Sequence, residues 1–125
     1  MMREFLITNN PMVYEKLGNN IETEYLENGS FMDVLFCVRD KIHKGHELLT
    51  HPLSGSVKPG ETPYKSVIVS MASKENDMPD TDSLKIIENS IALAEEQIKG
   101  RKKVKISEKL SNDFQLVDLA LISGK

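Results

Sequence analysis

The stretch Phe5-Leu6-Ile7-Thr8-Asn9-Asn10-Pro11 decides the fold of this chain. Its three consecutive apolar residues favour a strand that is buried on both faces, because a strand with one wet face alternates apolar and polar side chains. Asparagine caps helix N-termini well, and proline is favoured in the first helical turn. We therefore expect a buried strand over 5–7, a turn at 8–10 and a helix over 11–17.

Strands and helices alternate along the rest of the chain. Residues 21–27 alternate apolar and polar side chains, as an outer strand does, whereas Val67-Ile68-Val69 is continuously apolar. Apolar residues at helical spacing, preceded by Ser or Asp and followed by Gly, predict the helices between them. The remaining expected elements are a helix over 30–44, a short strand over 48–50, a strand over 64–71, a helix over 82–99 and a last helix from about Ser107.

This order of elements predicts the fold class. Alternating strands and helices favour a single α/β domain over residues 1–125, with a mainly parallel sheet of about four strands and helices on both faces. The length of 125 residues fits one domain. In the last helix, the row Leu110, Phe114, Val117 and Leu121 is expected to face the core.

Composition excludes several classes of protein. A single cysteine, Cys37, permits no disulfide within the chain and suits a reducing compartment. The longest strongly apolar run has five residues (34–38), against the roughly 20 of a membrane span. The first residues lack the pattern of a secretory signal, so we expect a cytoplasmic protein without a membrane partner.

The charge of the chain is unevenly distributed. The net charge is −3, but residues 99–105, here called the basic segment, hold five of the 16 Lys and Arg residues and no acidic one. The segment lacks the interleaved aromatic residues of a nucleic-acid site, so nucleic-acid binding is not expected. It is either a docking surface for an acidic partner or a solvated connector after a helix.

The loop over residues 51–65 is the strongest candidate for a site. Fifteen residues are long for a connection in a compact domain, and such loops are often functional. Ser54-Gly55-Ser56 offers two hydroxyls and an approachable backbone, while Lys58 and Lys65 supply positive charge. These features favour a small anion or phosphorylated metabolite, although neither common phosphate-loop motif is present.

Position supports this interpretation. If the strands over 5–7 and 48–50 are parallel, the turn at 8–11 and the loop lie at the same edge of the sheet, where open α/β sheets bind ligands. Helix capping remains the simpler role for at least one asparagine of the turn. The candidate ligand-binding residues are Thr8, Asn9, Asn10, His51, Ser54, Gly55, Ser56, Lys58, Thr62, Tyr64 and Lys65.

The side chains of greatest chemical interest otherwise have simpler roles. The three histidines fall within residues 43–51 but complete no metal-ligand pattern, so no metal and no cofactor are expected. His51 is a candidate general base if a hydroxyl of Ser54 or Ser56 lies within reach. Cys37 lies mid-helix between apolar residues and is expected to be an inert thiol.

The chain resembles the GrdX family. The resemblance is carried by 8–11 (Thr-Asn-Asn-Pro) with 13–16 (Val-Tyr-Glu-Lys), by 48–59 (Leu-Leu-Thr-His-Pro-Leu-Ser-Gly-Ser-Val-Lys-Pro), by 61–66 (Glu-Thr-Pro-Tyr-Lys-Ser) and by 113–119 (Asp-Phe-Gln-Leu-Val-Asp-Leu). It implies a small protein encoded beside glycine, sarcosine or betaine reductase components in amino-acid-fermenting anaerobic bacteria. It carries over no activity and no catalytic residue.

Three functions fit these observations. The first is an accessory or regulatory protein of the reductase system that binds a small anion at the loop. The second is an interaction protein without a small ligand, which docks onto reductase subunits. The third is a small phosphotransfer or hydrolytic enzyme that uses His51. The sequence determines neither the identity of the ligand nor the oligomeric state.

Overall fold

The computed structural model describes residues 4–54, 57–71, 78–101 and 105–124, and these form a mixed α/β structure. The α/β class expected from the sequence is therefore confirmed. The elements, in chain order, are β1 (Glu4–Thr8), α1 (Pro11–Leu17), β2 (Glu22–Tyr25), α2 (Phe31–His43), β3 (Ser66–Ser70), α3 (Thr81–Lys99) and α4 (Glu108–Ser123).

The sheet is mixed, with strand order β2-β1-β3. β1 pairs with β2 in parallel, from Phe5 opposite Glu22 to Thr8 opposite Tyr25. β1 pairs with β3 in the antiparallel sense, and Thr8 lies opposite Ser66. The expectation of about four mainly parallel strands is thus corrected to three strands in a mixed sheet. The long connection before β3 brings the chain back to the carboxyl end of β1, so β3 starts there and runs in the opposite direction.

Residues 48–50, which were predicted to be a strand, form a single antiparallel bridge between Leu48 and Val69 on the free edge of β3. The ladder stops there because the N–H groups of Leu49 and Thr50 both point to the Ile68 carbonyl. The Ile68 N–H in turn donates to the Thr50 hydroxyl instead of a backbone carbonyl. This segment runs parallel to β1, so the loop that follows it starts at the carboxyl end of β1, as the sequence argument required.

Helices cover both faces of the sheet, as predicted. One face packs Ile7, Val67 and Val69 against apolar residues of α2 and α3. The other face packs Leu6 and Ile68 against residues of α1 and α4. The middle residues of β1 and β3 are continuously apolar because alternate residues of these two strands contact helices on opposite faces.

Local signals set the beginnings of the helices. Asn10 caps α1, and its side chain accepts from the Met12 N–H. Ser30 and Asp33 form a reciprocal capping box at the start of α2. Asp80 caps α3. Each such cap stabilises a helix by about 1 kcal/mol. No helix within the described ranges is long and apolar enough to cross a membrane.

The prediction for the inward face of α4 is wrong. Its buried residues are Asp118 and Ile122, whereas Leu110, Val117 and Leu121, which were expected to face the core, are 38–43% exposed. On its inner side α4 carries the polar Ser111, Gln115 and Asp118 as well as the apolar Leu119 and Ile122. This orientation places a carboxylate at the end of the sheet where the loop begins and ends.

Candidate functional site: a pocket around Lys65

Asn9 fastens the loop to the end of β1. Its side-chain oxygen accepts from the Lys65 N–H at 2.9 Å, and its amide nitrogen donates to the carbonyls of Pro63 (2.8 Å) and Gly29 (2.9 Å). Both amide hydrogens and the oxygen of this buried side chain are therefore engaged within the chain. The structure assigns Asn9 the task of positioning Lys65.

A chain of hydrogen bonds leads from the turn to α4. The Ser66 hydroxyl donates to Asp118 Oδ2 at 2.7 Å, so its oxygen accepts the proton of Thr8, whose Oγ1 lies 2.7 Å away. Asn10 Nδ2 donates to the same Asp118 oxygen and to the Gln115 carbonyl, each at 3.0 Å. Asp118 is only 7% exposed, and this network satisfies one of its two carboxylate oxygens.

Lys65 lies at the centre of the site. A pocket of about 250 Å³ opens beside it between the loop and α4. Such a volume suits a small metabolite, since drug-sized ligands occupy about 300–1,000 Å³. The lining residues are Leu49, Thr50, His51, Ser54, Lys65, Ser66, Asp118, Leu121 and Ile122.

The Lys65 amine is buried with little compensation. The residue is 7% exposed, and its Nζ donates to the Ser54 carbonyl at a long 3.3 Å. Removal from water lowers the pKa of Lys65 from its ordinary value, and attraction to Asp118 opposes this shift without cancelling it. Two of the three donor hydrogens of the amine have no acceptor among the described residues, so the amine is equipped to bind a ligand oxygen.

A second, smaller cavity of about 20 Å³ adjoins the same lysine and has room for about one water molecule. Thr62 and Tyr64 line it together with Phe114 of α4. Tyr64 Oη lies 2.7 Å from the hydroxyl of Ser111, and Gln115 Nε2 donates to both oxygens. Tyr64 therefore fixes the loop against α4 at the rear of the site, and the Thr62 hydroxyl accepts from the Tyr64 N–H at 3.1 Å.

His51 and Ser54 both line the larger pocket, but they do not form a catalytic pair in this arrangement. The Ser54 hydroxyl donates to the His51 backbone carbonyl at 3.1 Å. The His51 Nδ1 accepts from the Leu53 N–H at 3.0 Å, so a neutral ring carries its proton on Nε2. Ser56, the other hydroxyl considered as a partner of His51, lies outside the described residues.

The other loop residues of the sequence prediction are placed differently. Gly55, like Ser56, lies outside the described ranges. Lys58 is exposed in a turn at 58–61, where its N–H donates to the Glu61 carboxylate, and it does not line either cavity. Arg101 of the basic segment pairs with Glu61 at 3.6 Å, so one of the five basic residues contacts the loop.

The remaining reactive side chains are engaged elsewhere. His46 Nδ1 donates to the Ser70 carbonyl at 2.6 Å, and His43 is exposed at the end of α2. Burial and the nearby Glu24 carboxylate raise the pKa of the Cys37 thiol to about 12, which keeps it protonated and unreactive. Within the described ranges, no three His, Cys, Asp or Glu side chains lie close enough to hold a metal.

Sequence reasoning missed the contribution of α4. Asp118 was not among the candidate residues, although a signal for it exists. It is the only charged residue between Phe114 and Ser123, in a stretch that is otherwise mostly apolar. A lone carboxylate in such a helix must find partners when it is buried. Ser66, which supplies one of those partners, carries no signal of its own.

The fold and the site define a class of protein: a small three-layer α/β protein with a pocket between its long loop and its last helix. The family model described as GrdX-like protein matches residues 5–125. The chain therefore belongs to the GrdX-like family. No curated protein and no solved structure matches it.

Proposed function

We propose that the protein is an accessory component of the glycine, sarcosine or betaine reductase system and that it binds a small metabolite through an anionic group at Lys65. The family membership supports the first part, because the GrdX resemblance implies that association. The pocket supports the second part. Ser54 and His51, which line the same pocket, add polar groups to the site.

The observation that carries this proposal is the state of the Lys65 amine. An amine whose residue is 7% exposed, with one long hydrogen bond, destabilises the folded chain when it is charged. A ligand anion would remove that penalty by supplying the missing acceptor. Groups that are unfavourable for stability but accessible from a pocket are typical of binding sites.

Thermal unfolding of the protein with a panel of small compounds tests the proposal. The panel contains acetate, phosphate, acetyl phosphate, glycine and N,N,N-trimethylglycine, each at millimolar concentration. At least one compound should raise the melting temperature of the wild type but not of Lys65→Met. If no compound raises it, or if the Met variant responds equally, the proposed site is wrong.

Lys58→Met is the matched control. Lys58 belongs to the same loop and carries the same charge, but it is exposed and does not line the pocket. Its variant should respond to the panel as the wild type does. An equal loss of response in both variants would indicate general charge attraction by the loop and would contradict a specific role for Lys65.

A second candidate function is assembly with a reductase component, and the outer face of α4 favours it. Leu110, Leu116, Val117 and Leu121 are exposed on one helix, with Leu116 57% exposed. Val117 and Leu121 border the cavities at Lys65, whereas Leu116 lies on the side of α4 opposite the buried Asp118. Exposed apolar side chains of this kind can mark an interaction site. In this role, α4 would hold the ligand through Asp118 and contact the reductase component through Leu116.

Co-elution with purified reductase components in size-exclusion chromatography tests this assembly role. The double variant Leu110→Ser/Leu116→Ser should abolish co-elution while leaving the ligand response unchanged, because neither residue lines the pocket. Neutralising Arg101 should have little effect on co-elution, because that residue is already paired with Glu61. Co-elution that survives the double variant would exclude this face as the contact.

A further inference from the structure

The pocket beside Lys65 is lined by two buried groups of opposite charge. Lys65 and Asp118 are each 7% exposed and both line the cavity of about 250 Å³. They are close enough for Asp118 to act on the Lys65 amine electrostatically, yet they form no ion pair with each other in the described structure. The cation and the anion thus border the same space, which a ligand can occupy.

Each of the two groups has unused hydrogen-bonding capacity. Asp118 Oδ2 accepts from Ser66 and Asn10, whereas Oδ1 has no donor among the described residues. The Lys65 amine uses one hydrogen of three, in the bond to Ser54. The unused acceptor and the unused donors belong to side chains that line the same pocket.

These features are complementary to one kind of ligand. A simple anion would satisfy Lys65 but would be repelled by the Asp118 carboxylate, and phosphate, with its higher charge, would be repelled more strongly. A simple amine would satisfy Asp118 but would be repelled by the Lys65 ammonium. A molecule that carries a carboxylate and an ammonium group on the same carbon atom can satisfy both residues, and it adds no net charge to the buried site.

We infer that the pocket binds a small α-amino acid as its zwitterion, with the carboxylate on Lys65 and the ammonium on Asp118. This inference rests on the ligand-binding function proposed above and specifies the class of ligand. Leu49, Leu121 and Ile122 form the apolar part of the lining, so the amino acid has no side chain, as in glycine, or a small apolar one.

The lining also indicates which kind of nitrogen is bound. Quaternary ammonium groups are usually held by the faces of several aromatic rings. Phe, Tyr and Trp are absent from the residues that line the larger pocket, where Asp118 offers a hydrogen-bond acceptor instead. An ammonium with N–H donors therefore fits this pocket, and a trimethylated nitrogen does not.

Isothermal titration calorimetry of the wild type with five probes tests the inference. The probes are glycine, L-alanine, acetate, methylamine and N,N,N-trimethylglycine. Glycine or alanine should bind about tenfold or more tightly than the other three, because each charge-assisted hydrogen bond lost at a buried site lowers the affinity by about that factor. Equal or tighter binding of acetate would overturn the zwitterion while leaving the anion site at Lys65 intact.

Variants assign each end of the ligand. Asp118→Asn keeps the shape and removes the charge, so it should weaken glycine binding about tenfold and leave acetate unchanged or tighter. Lys65→Met should weaken glycine and acetate alike. The matched controls are Asp113→Asn, an exposed acid on the same helix, and Lys58→Met, and both should bind glycine as the wild type does.

The outcomes separate this inference from the function on which it rests. Binding of acetate alone would retain the proposed function and reject the amino acid. Tight binding of N,N,N-trimethylglycine would reject the requirement for N–H donors. If none of these compounds binds, both the proposed site and the amino acid are wrong. Circular dichroism of every variant confirms that a lost signal is not a loss of folding.

Discussion

The helices α3 and α4 are both amphipathic, yet they face the rest of the molecule in opposite ways. α3 packs Ile87, Ile91 and Ala94 into the main core. α4 buries Asp118 beside Ile122 and leaves much of its apolar surface outside. Apolar burial therefore holds α3 in place, whereas α4 is oriented largely by specific hydrogen bonds from the turn at 8–11 and the loop over 51–65.

The arrangement of α4 has a clear physical consequence. Apolar burial stabilises a fold by about 25 cal/mol per Å² of surface removed from water, and α4 forgoes part of this contribution. The polar groups on its inner side are acceptable only because the buried ones are hydrogen-bonded. What the protein gains is a carboxylate held beside a buried lysine, which a purely apolar interface does not provide.

The largest effect is expected from α3. Ile87→Ala should lower the free energy of unfolding by about 2–5 kcal/mol, because Ile87 is fully buried in the main core and its truncation leaves a cavity. Urea denaturation measures the change. The comparison variant is Leu121→Ala on α4. Because Leu121 is 42% exposed, this change should lower the free energy of unfolding far less. Equal losses would mean that the two helices are held in the same way.

Asp118→Ala should rank second, with a loss of about 1–3 kcal/mol, because it leaves buried donors on Ser66 and Asn10 without an acceptor. Asp118→Asn keeps an acceptor oxygen and should cost clearly less in the same urea titrations. The exposed Asp113→Asn serves as the control, with no appreciable change. An Asn variant as unstable as the Ala variant would show that the charge, not the hydrogen bonds, holds α4.

Lys65→Met should stabilise the protein at neutral pH. Burial lowers the pKa of Lys65 below its unfolded value of about 10.4, so the unfolded chain binds more protons between the two values. The stability of the wild type therefore rises with pH across that interval, while the Met variant lacks this dependence. The advantage of the variant should shrink as the pH approaches 10.4, as thermal unfolding from pH 7 to 10.5 would reveal.

A Met variant that is less stable than the wild type at neutral pH would show that the amine is stabilised in the fold, contrary to its role as an unsatisfied ligand group. Lys58→Met provides the reference, because an exposed lysine contributes little to stability in either charge state.

The smallest effect is expected on the outer face of α4. Leu116→Ser should change the free energy of unfolding by no more than about 0.5 kcal/mol, because the side chain is 57% exposed. Chemical denaturation measures this value. A loss of several kcal/mol would show that the outer face is covered, and that the contrast between α3 and α4 is smaller than their exposures indicate.

Much of the fold could be predicted from local sequence. The strand at 5–7, the Asn10 cap, the helix that begins after Ser30 and the helix that ends at Lys99 all follow from nearby residues, because capping and periodicity act over a few positions. The loop could be identified as a candidate site for the same reason, since its length and composition are local properties.

The part of the site that sequence reasoning missed depends on distant residues. The candidate residues His51, Ser54 and Lys65 do meet at one pocket. Thr8, Asn9 and Asn10 proved to be engaged in hydrogen bonds within the chain. Their partners lie more than 50 positions away in several cases, as in the bond between Asn10 and Asp118. No local pattern in the sequence encodes such a pairing.

The sequence by itself determined the α/β class, the positions of most elements and the loop that bears Lys65, since short-range preferences and apolar patterning set these features. The tertiary structure alone decided the direction of β3, the inward face of α4 and the meeting of Lys65 with Asp118. The physical reason is that a buried polar group orients a helix through its partners, and those partners are brought together only when the chain is folded.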